Sequence, residues 1–367
     1  MPLSVSGYLE KHSKGFGFLR SLENSLNKNP QDTFVPAGII KRFFLEDGIF
    51  IEGEAEENPG KPAPALKNIT ALNGVKPMEF RFRKSFQKGD AVTPFKRIQL
   101  ESEGGSLSNR IVDIVAPIGK GQRALIAAPP RSGKTVLLEN MINSISANQP
   151  DIECFVLLID ERPEEVTHFK RTFPDIHVMA SSNDETPENH IQMARNVFGI
   201  AKTMVEMGKD VLIFMDSLTR LSRAFNSQQR GRRTLSGGVD ADALTEPKQM
   251  FGLARQIENS GSLTIIATAL IETDSQMDEV IFREFKGTGN MEIVLDRTLS
   301  EKHIYPAINI KASGTRNEDR ILGSPLTEQI QCLRRALADS SNEEAVMQLI
   351  HLCEKYPTNE EFLKLQN

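Results

Sequence analysis

Ala128-Pro129-Pro130-Arg131-Ser132-Gly133-Lys134-Thr135 lies between an apolar run at 123–128 and a helical pattern that starts at Lys134. The octet matches GxxxxGK[ST] at every position but the first, where alanine replaces glycine. A strand that turns through such a loop into a helix aims backbone N–H groups and the helix amino terminus at one point, which cradles phosphate oxygens. Pro130, Arg131, Ser132, Gly133 and Val136 would line that cradle. Lys134 would reach the outer phosphates, and the Thr135 hydroxyl would ligate Mg2+. Outward from this loop the same texture repeats. Residues 154–160 (CFVLLID), 177–180 (HVMA), 211–216 (VLIFMD) and 263–270 (LTIIATAL) are apolar runs of strand length, with helical patterns at 134–147 and 188–207. That alternation predicts an α/β fold with a parallel sheet covered on both faces.

Two of these runs end on carboxylates. Asp216 closes 211–216, where an acid beside the phosphate loop can hold magnesium through its water shell. An apolar strand that ends in Asp is common, so its weight comes from the loop. LLIDERPEE at 157–165 places Glu161 at the same edge of the sheet, where a carboxylate can orient and deprotonate water. Glu164 and Glu165 need no such role, because acids in a first helical turn suit the dipole.

Upstream, short β-like runs at 5–9, 15–19, 33–35, 49–55 and 66–72 are separated by turn residues. Pro36 opens a short helix with Ile39, Ile40 and Phe43 on one face. Five strands with a helix after the third predict an OB-fold, cold-shock-like barrel over residues 1–75. Phe16 and Phe18 alternate, so their rings share a face with Arg20. They either fill the barrel core or stand outside it as base-stacking platforms. Residues 76–110 show no sustained period and read as a linker that ends in a glycine turn. The second domain then covers 111–367. Its tail from Leu326 reads as two or three helices, with Cys332, Leu333 and Ala336 on one face and Leu349, Ile350 and Cys353 on another.

A length of 367 residues suits two domains, and 39% hydrophobic with 25% charged residues is an ordinary globular composition. No apolar run reaches the ~18 residues that span a bilayer, and the start lacks a secretory pattern, so no membrane and a cytoplasmic location are expected. The three cysteines, Cys154, Cys332 and Cys353, suit neither a disulfide framework nor zinc. Net charge is -5, yet residues 1–100 hold 15 Lys and Arg against 11 Asp and Glu. A basic front permits an anionic partner such as nucleic acid.

GFGFLRS (15–21), PIGKGQR (117–123), APPRSGKT (128–135), LLIDERPEEVT (157–167) and MDSLTRLSRA (215–224) are followed by LSGGVDADAL (235–244), GSLTIIATALIET (261–273), EFKGTGNMEI (284–293) and SGTR (313–316). In this order they resemble the Rho family of bacterial transcription termination factors, nearly from end to end. The resemblance implies a homohexameric ring of RecA-like P-loop ATPase domains, each preceded by the OB-fold barrel and followed by short helices. Such a ring encloses RNA, moves 5′ to 3′ as an RNA-dependent ATPase and helicase, and terminates transcription with ATP and Mg2+. Single-stranded RNA, RNA polymerase and a Nus-type elongation factor are the implied partners. The family also begins its phosphate loop with APP. By resemblance Glu161 is the catalytic base, Arg162 a coupling neighbour, and Arg316 a finger donated across the subunit interface. Tyr305 takes the adenine-packing position and Lys286 that of an interfacial lysine. Phe16, Phe18, Arg20, Phe34 and Arg42 correspond to the primary RNA site. A long loop at 225–246, with Arg230, Arg232, Arg233 and Thr234, corresponds to one pore loop, and residues 272–278 with Gln276 to the other.

Three departures modify the transfer. The barrel begins within about ten residues of Met1, so the family's helical amino-terminal subdomain is expected to be missing. Ala63 and Pro64 stand where an aromatic is frequent, which should relax pyrimidine recognition. Gln276 replaces a basic residue. Two rival readings are a rotary-type ATPase subunit and an RNA-binding ring with weak or altered termination activity.

Overall fold

The computed structural model describes residues 3–58, 60–83, 85–229 and 236–364. The chain starts with β1 (Leu3–Lys11), β2 (Gly17–Arg20), β3 (Phe34–Val35), α1 (Ala37–Phe43), β4 (Phe50–Glu56), β5 (Ala65–Leu72) and α2 (Pro77–Phe80). It continues through β6 (Ala91–Val92), β7 (Arg97–Ile98), α3 (Leu107–Val115), β8 (Ile118–Gly119), β9 (Arg123–Ala128) and α4 (Lys134–Asn148). Next come β10 (Glu153–Glu161), α5 (Pro163–Thr172), β11 (His177–Ser182), α6 (Pro187–Glu206), β12 (Asp210–Asp216) and α7 (Leu218–Gln228). Then follow α8 (Thr245–Phe251), β13 (Arg255–Ile257), β14 (Ser262–Leu270), α9 (Gln276–Lys286), β15 (Met291–Val294) and α10 (Arg297–Glu301). Last are β16 (Gly314–Thr315), α11 (Glu318–Leu322), α12 (Ser324–Ala336), α13 (Asn342–Lys355) and α14 (Asn359–Lys364).

These elements form two compact units, one of residues 1–91, 155–211 and 257–262, the other of 92–154, 212–256 and 263–367. The division interleaves with the sequence-based segments 1–75, 76–110 and 111–367. In the first unit, β1-β2-β3-β5-β4 close into a barrel, as the five short runs predicted. Closure follows from alternation along each strand: Leu9, Leu19, Val35, Ile51 and Leu66 bury together with Ile40 of α1. Each such side chain contributes about 1.5 to 3 kcal/mol by leaving water. β10 and β11 pair in parallel, with the register slipping between Ile159 and Glu161.

In the second unit the strand order is β12-β14-β9-β15-β16. β14 and β9 run parallel from Ile265 opposite Arg123 to Leu270 opposite Ala128. β15 lies parallel along the other side of β9, and β16 is antiparallel to it. Residues 124–128 are buried because both faces of such a sheet are covered, which is why the sequence shows a continuous apolar run. β15, only four residues long, carries too short a pattern to stand out in the sequence.

The expected linker needs correction. Phe80 and Phe86 are each 1% exposed, and Phe80 belongs to the barrel core. Glu206 accepts from Arg83 Nε and from the Phe86 N–H, both at 2.8 Å. In the second unit Ile98 and Leu100 are fully buried, and Asp113 of α3 accepts from the Leu100 and Glu101 N–H groups at 3.0 and 2.8 Å. Single anchors at irregular spacing leave no period, so a bound segment imitates a linker. The tail differs by a smaller shift. α12 buries Thr327, Ile330 and Leu333, while Ala336 is exposed and Cys332 half-buried, because the packed stripe follows the three- and four-residue spacing that continues to Leu337.

Candidate functional site

The phosphate loop joins β9 to α4 in the second unit. Gly133 has φ 84°, a conformation open to glycine, and a Cβ there would come within 3.1 Å of the Tyr305 ring. Ser132 is buried and its hydroxyl donates to the Pro129 carbonyl at 2.7 Å, bracing the turn. Lys134 opens the helix and its Nζ meets Asp216 Oδ1 at 2.6 Å. The Thr268 hydroxyl of β14, which the sequence reading missed, donates to the same oxygen at 2.7 Å. Strand ends from β9, β12 and β14 thus converge on one point.

Beside the loop a cleft of about 320 Å3 is lined by Ser132, Gly133, Val136, Leu137, Leu295 and Tyr305, among others. Tyr305 and Val136 are exposed into a mostly apolar slot, a setting suited to a planar base. Thr135 and Asp216 offer hydroxyl and carboxylate oxygens, the donors that Mg2+ prefers. Among the described residues no three His, Cys, Asp or Glu side chains gather as a metal cage. The oxygen donors of Thr135 and Asp216 fit a Mg2+ ion whose remaining positions phosphate oxygens and water would fill.

Arg316 sits elsewhere. It is exposed just past β16, and its N–H donates to the Asn290 carbonyl at 2.9 Å, before the first residue of β15. Because β15 runs parallel to β9, this is the amino-terminal end of β9, about 17 Å of strand away from Ala128 at ~3.3 Å per residue. Burial first, and then the Arg255 and Arg316 guanidiniums, hold the Arg123 side chain below the usual arginine pKa. Three cations therefore crowd one end of the strand. Lys286 lines the same open cleft as Arg316 and pairs with Glu292 at 2.9 Å.

In the first unit Glu161 ends β10 and is buried, and Asp160 before it has φ 55°. Asp160 Oδ1 lies 3.9 Å from His190 Nε2, while His190 Nδ1 shares a hydrogen bond with the Ser181 hydroxyl at 2.7 Å. Arg162 is exposed at the N-cap of α5.

The barrel decides the alternative left open for the aromatics. Phe16, Phe18 and Phe34 are half-buried and lie outside the barrel core. They pack on one another at 5.4 to 5.9 Å between ring centroids. His12 stacks on Phe16 at 4.5 Å, and Lys61 Nζ lies 5.8 Å from the Phe34 centroid. The first contact is local to the β1–β2 turn, where the His12 N–H donates to the Phe16 carbonyl at 2.7 Å, whereas the second joins segments far apart in the chain and has no signal in the sequence. Arg42 is exposed over the Phe43 ring at 5.3 Å.

Arg20, which the resemblance assigns to the primary RNA site, is paired within the barrel. It is buried, its Nε and Nη2 donate to Glu10 at 2.9 and 3.1 Å, and its Nη1 donates to Asp32. Burial disfavours charge on Glu10, but Arg20, with Asn196 donating at 2.9 Å, outweighs it and holds the carboxyl below the usual glutamate range. Tyr8 opposes Arg20 across the β1–β2 pair, so Glu10 is the diagonal neighbour on the same face. With its guanidinium 5.2 Å from the Phe18 centroid, Arg20 backs the ring.

Of the residues that the resemblance assigns to pore loops, Arg230, Arg232, Arg233 and Thr234 lie outside the described residues. Gln276 is exposed at the start of α9. A Cβ at Gly237, whose φ is 75°, would meet the Gln276 carbonyl at 2.8 Å, so the two loops touch. Arg223 holds buried Asp278 through two bonds of 2.9 and 2.6 Å, fixing the second loop from beneath.

Residues 5–78 match the Rho termination factor, RNA-binding domain, and residues 108–315 match the ATP synthase alpha/beta family, nucleotide-binding domain. The transcription termination factor Rho of Aquifex aeolicus is 47% identical over 99% of this chain and 84% of its own length. That of Pseudomonas aeruginosa is 45% identical over 98% of this chain and 87% of its own. That of Haemophilus influenzae is 46% identical over 98% of this chain and 86% of its own. Among solved structures, a prototypical ATPase from a bacterial type III secretion system superposes with a TM-score of 0.60 at 24% identity, covering 81% of each chain. The assembled secretion ATPase EscN of enteropathogenic E. coli also gives 0.60, at 26% identity over 71% of this chain and 61% of that one. Among the described residues no helix is long and apolar enough to cross a membrane.

Proposed function

The chain belongs to the transcription termination factor Rho family, and from that premise we propose that it works as a homohexameric ring that pulls itself 5′ to 3′ along RNA. Its activity is that of the family: RNA-dependent ATP hydrolysis that ends transcription. The observation that carries the ring is the position of Arg316. It stands at the opposite end of β9 from Lys134, so a finger on the phosphates must come from another chain. The crowding of Arg123, Arg255 and Arg316 supports the same reading, because an anion from a neighbour would relieve it.

Within each site the residues divide the work. Lys134 exchanges Asp216 for the outer phosphate oxygens as nucleotide enters. Tyr305 covers the base in its apolar slot, and the backbone of 130–136 holds the phosphates. Thr135 and Asp216 would hold Mg2+, which when bound would supply neutralisation of charge on the transferred group. Glu161 orients the attacking water and takes its proton, and Arg162 links the site to the subunit boundary. Lys286 works at that boundary. RNA is captured on Phe16, Phe18 and Phe34 and gripped in the pore by Gln276 and residues 232–234. RNA polymerase and a Nus-type elongation factor are the partners we propose for this activity, in the cytoplasm.

The rotary-type reading shares the core fold but gives the outward aromatic triad no task. The deciding measurement is the ATPase rate with and without polycytidylic or polyuridylic RNA. Hydrolysis should rise with RNA and stop when Mg2+ is chelated. A rate indifferent to RNA would remove the translocase reading.

A further inference from the structure

The basic charge of the front of the chain does not belong to the barrel. Residues 1–75 hold eight Lys and Arg against nine Asp and Glu, whereas residues 76–88 hold five against one. In that short segment Met78 and Phe82 stand 68% and 85% exposed, and Lys76, Arg81 and Lys88 are exposed with them. The segment is firmly seated. Phe80 is in the barrel core, the Arg83 guanidinium lies 4.0 Å from the Phe80 centroid, and Glu206 holds both Arg83 and the Phe86 N–H. Phe82 is therefore a ring held in water between two fixed neighbours, a placement that folding alone does not reward.

We propose that Phe82, with exposed Met78 four residues before it and Lys76 and Arg81 in the same segment, is a further single-stranded RNA contact in which a base stacks on the ring and the cations meet phosphates. The proposal rests on the RNA-binding reading of the barrel and extends it. Charge selects RNA as the occupant, since a net positive, aromatic-bearing surface complements a stacked polyanion. The barrel also has need of it. Arg20 is neutralised by Glu10 and Asp32, so the Phe16, Phe18 and Phe34 face stacks bases without that arginine's phosphate contact. Glu79, exposed in the same turn, is the one acid that RNA would have to pass.

The test is equilibrium binding of the full-length chain to fluorescent oligouridine of about 5 and about 20 nucleotides, across a salt series. For the longer strand, Phe82→Ala should weaken binding about 5- to 30-fold, and Phe82→Tyr should restore it. Lys76→Ala with Arg81→Ala should flatten the slope of log affinity against log salt by about 1.4, from ~0.7 per phosphate contact on a single strand. Binding of the shorter strand, which the barrel face accommodates alone, should be unchanged in all three. Unaltered affinity and slope on the longer strand overturn the proposal. So does a changed sedimentation rate with RNA binding intact, which would mark the surface as a protein contact. Phe16→Ala with Phe18→Ala should weaken both strands. If it does while the segment variants do not, this inference alone fails; if it does not, the reading beneath fails with it.

Discussion

Lys134 in one unit and Arg20 in the other are both cations of a ligand-binding motif, and both are met by acids. Lys134 has Asp216 at 2.6 Å, keeps 17% of its side chain exposed, and follows Gly133, which lines the cleft. Arg20 keeps 6%, and is shared between Glu10 and Asp32. A partly exposed cation with one acidic partner can trade that partner for a phosphate. One enclosed by two carboxylates would leave two buried charges behind, at several kcal/mol. The first cation therefore has a partner it can exchange, while the second is held by two, and its expected effect on RNA is through the ring it supports.

The comparison breaks most visibly at Lys134. Lys134→Ala should cut the RNA-stimulated turnover number by about 10^3-fold, a barrier change of ~4 kcal/mol, while barrel binding of RNA persists. If steady-state hydrolysis survives, Lys134 is not the phosphate cation. Arg20→Ala should behave in the opposite way, lowering stability by about 3 kcal/mol in chemical denaturation, with basal ATP hydrolysis kept under native conditions. Stability equal to that of the native chain, with only RNA affinity reduced, would make Arg20 a ligand contact after all. Phe18→Ala removes the ring without disturbing the acids, and RNA titration should show affinity about tenfold weaker with the melting midpoint nearly kept.

Asp113 sharpens the same point at smaller scale, because it is a buried acid with a weak partner. Burial pushes its pKa up to about 6, and Arg97 at 3.4 Å offsets only part of this. The folded carboxyl keeps its proton to higher pH than the unfolded chain does, so its contribution to stability is greatest in acid and is lost as pH rises through about 6. The native chain should therefore lose about 1 kcal/mol relative to Asp113→Asn between about pH 5 and pH 7. A difference flat with pH, measured by denaturant titration, would mean that Asp113 is not the titrating group.

The core sheet and the barrel were legible because each strand advertises its environment, continuous apolar where both faces are covered and alternating where one face is. β15 was too short to advertise anything, and the 76–110 segment hid because its anchors, such as Phe80, Phe86 and Leu100, act singly. For the site, Thr268 escaped notice because a threonine within an apolar strand carries no sign of the carboxylate it will meet.

The sequence by itself determined the phosphate loop and its strand-end acid at Asp216. Eight consecutive residues contain the whole turn, and a buried strand that ends on an acid is visible as such. It also determined that Phe16, Phe18 and Arg20 share a face, because a strand has a period of two. Which way that face points, whether Arg20 is free, and which end of β9 carries Arg316 were decided only by the tertiary structure. Each depends on register between segments far apart in the chain, and a shift of one residue would reverse the face while leaving the sequence pattern unchanged.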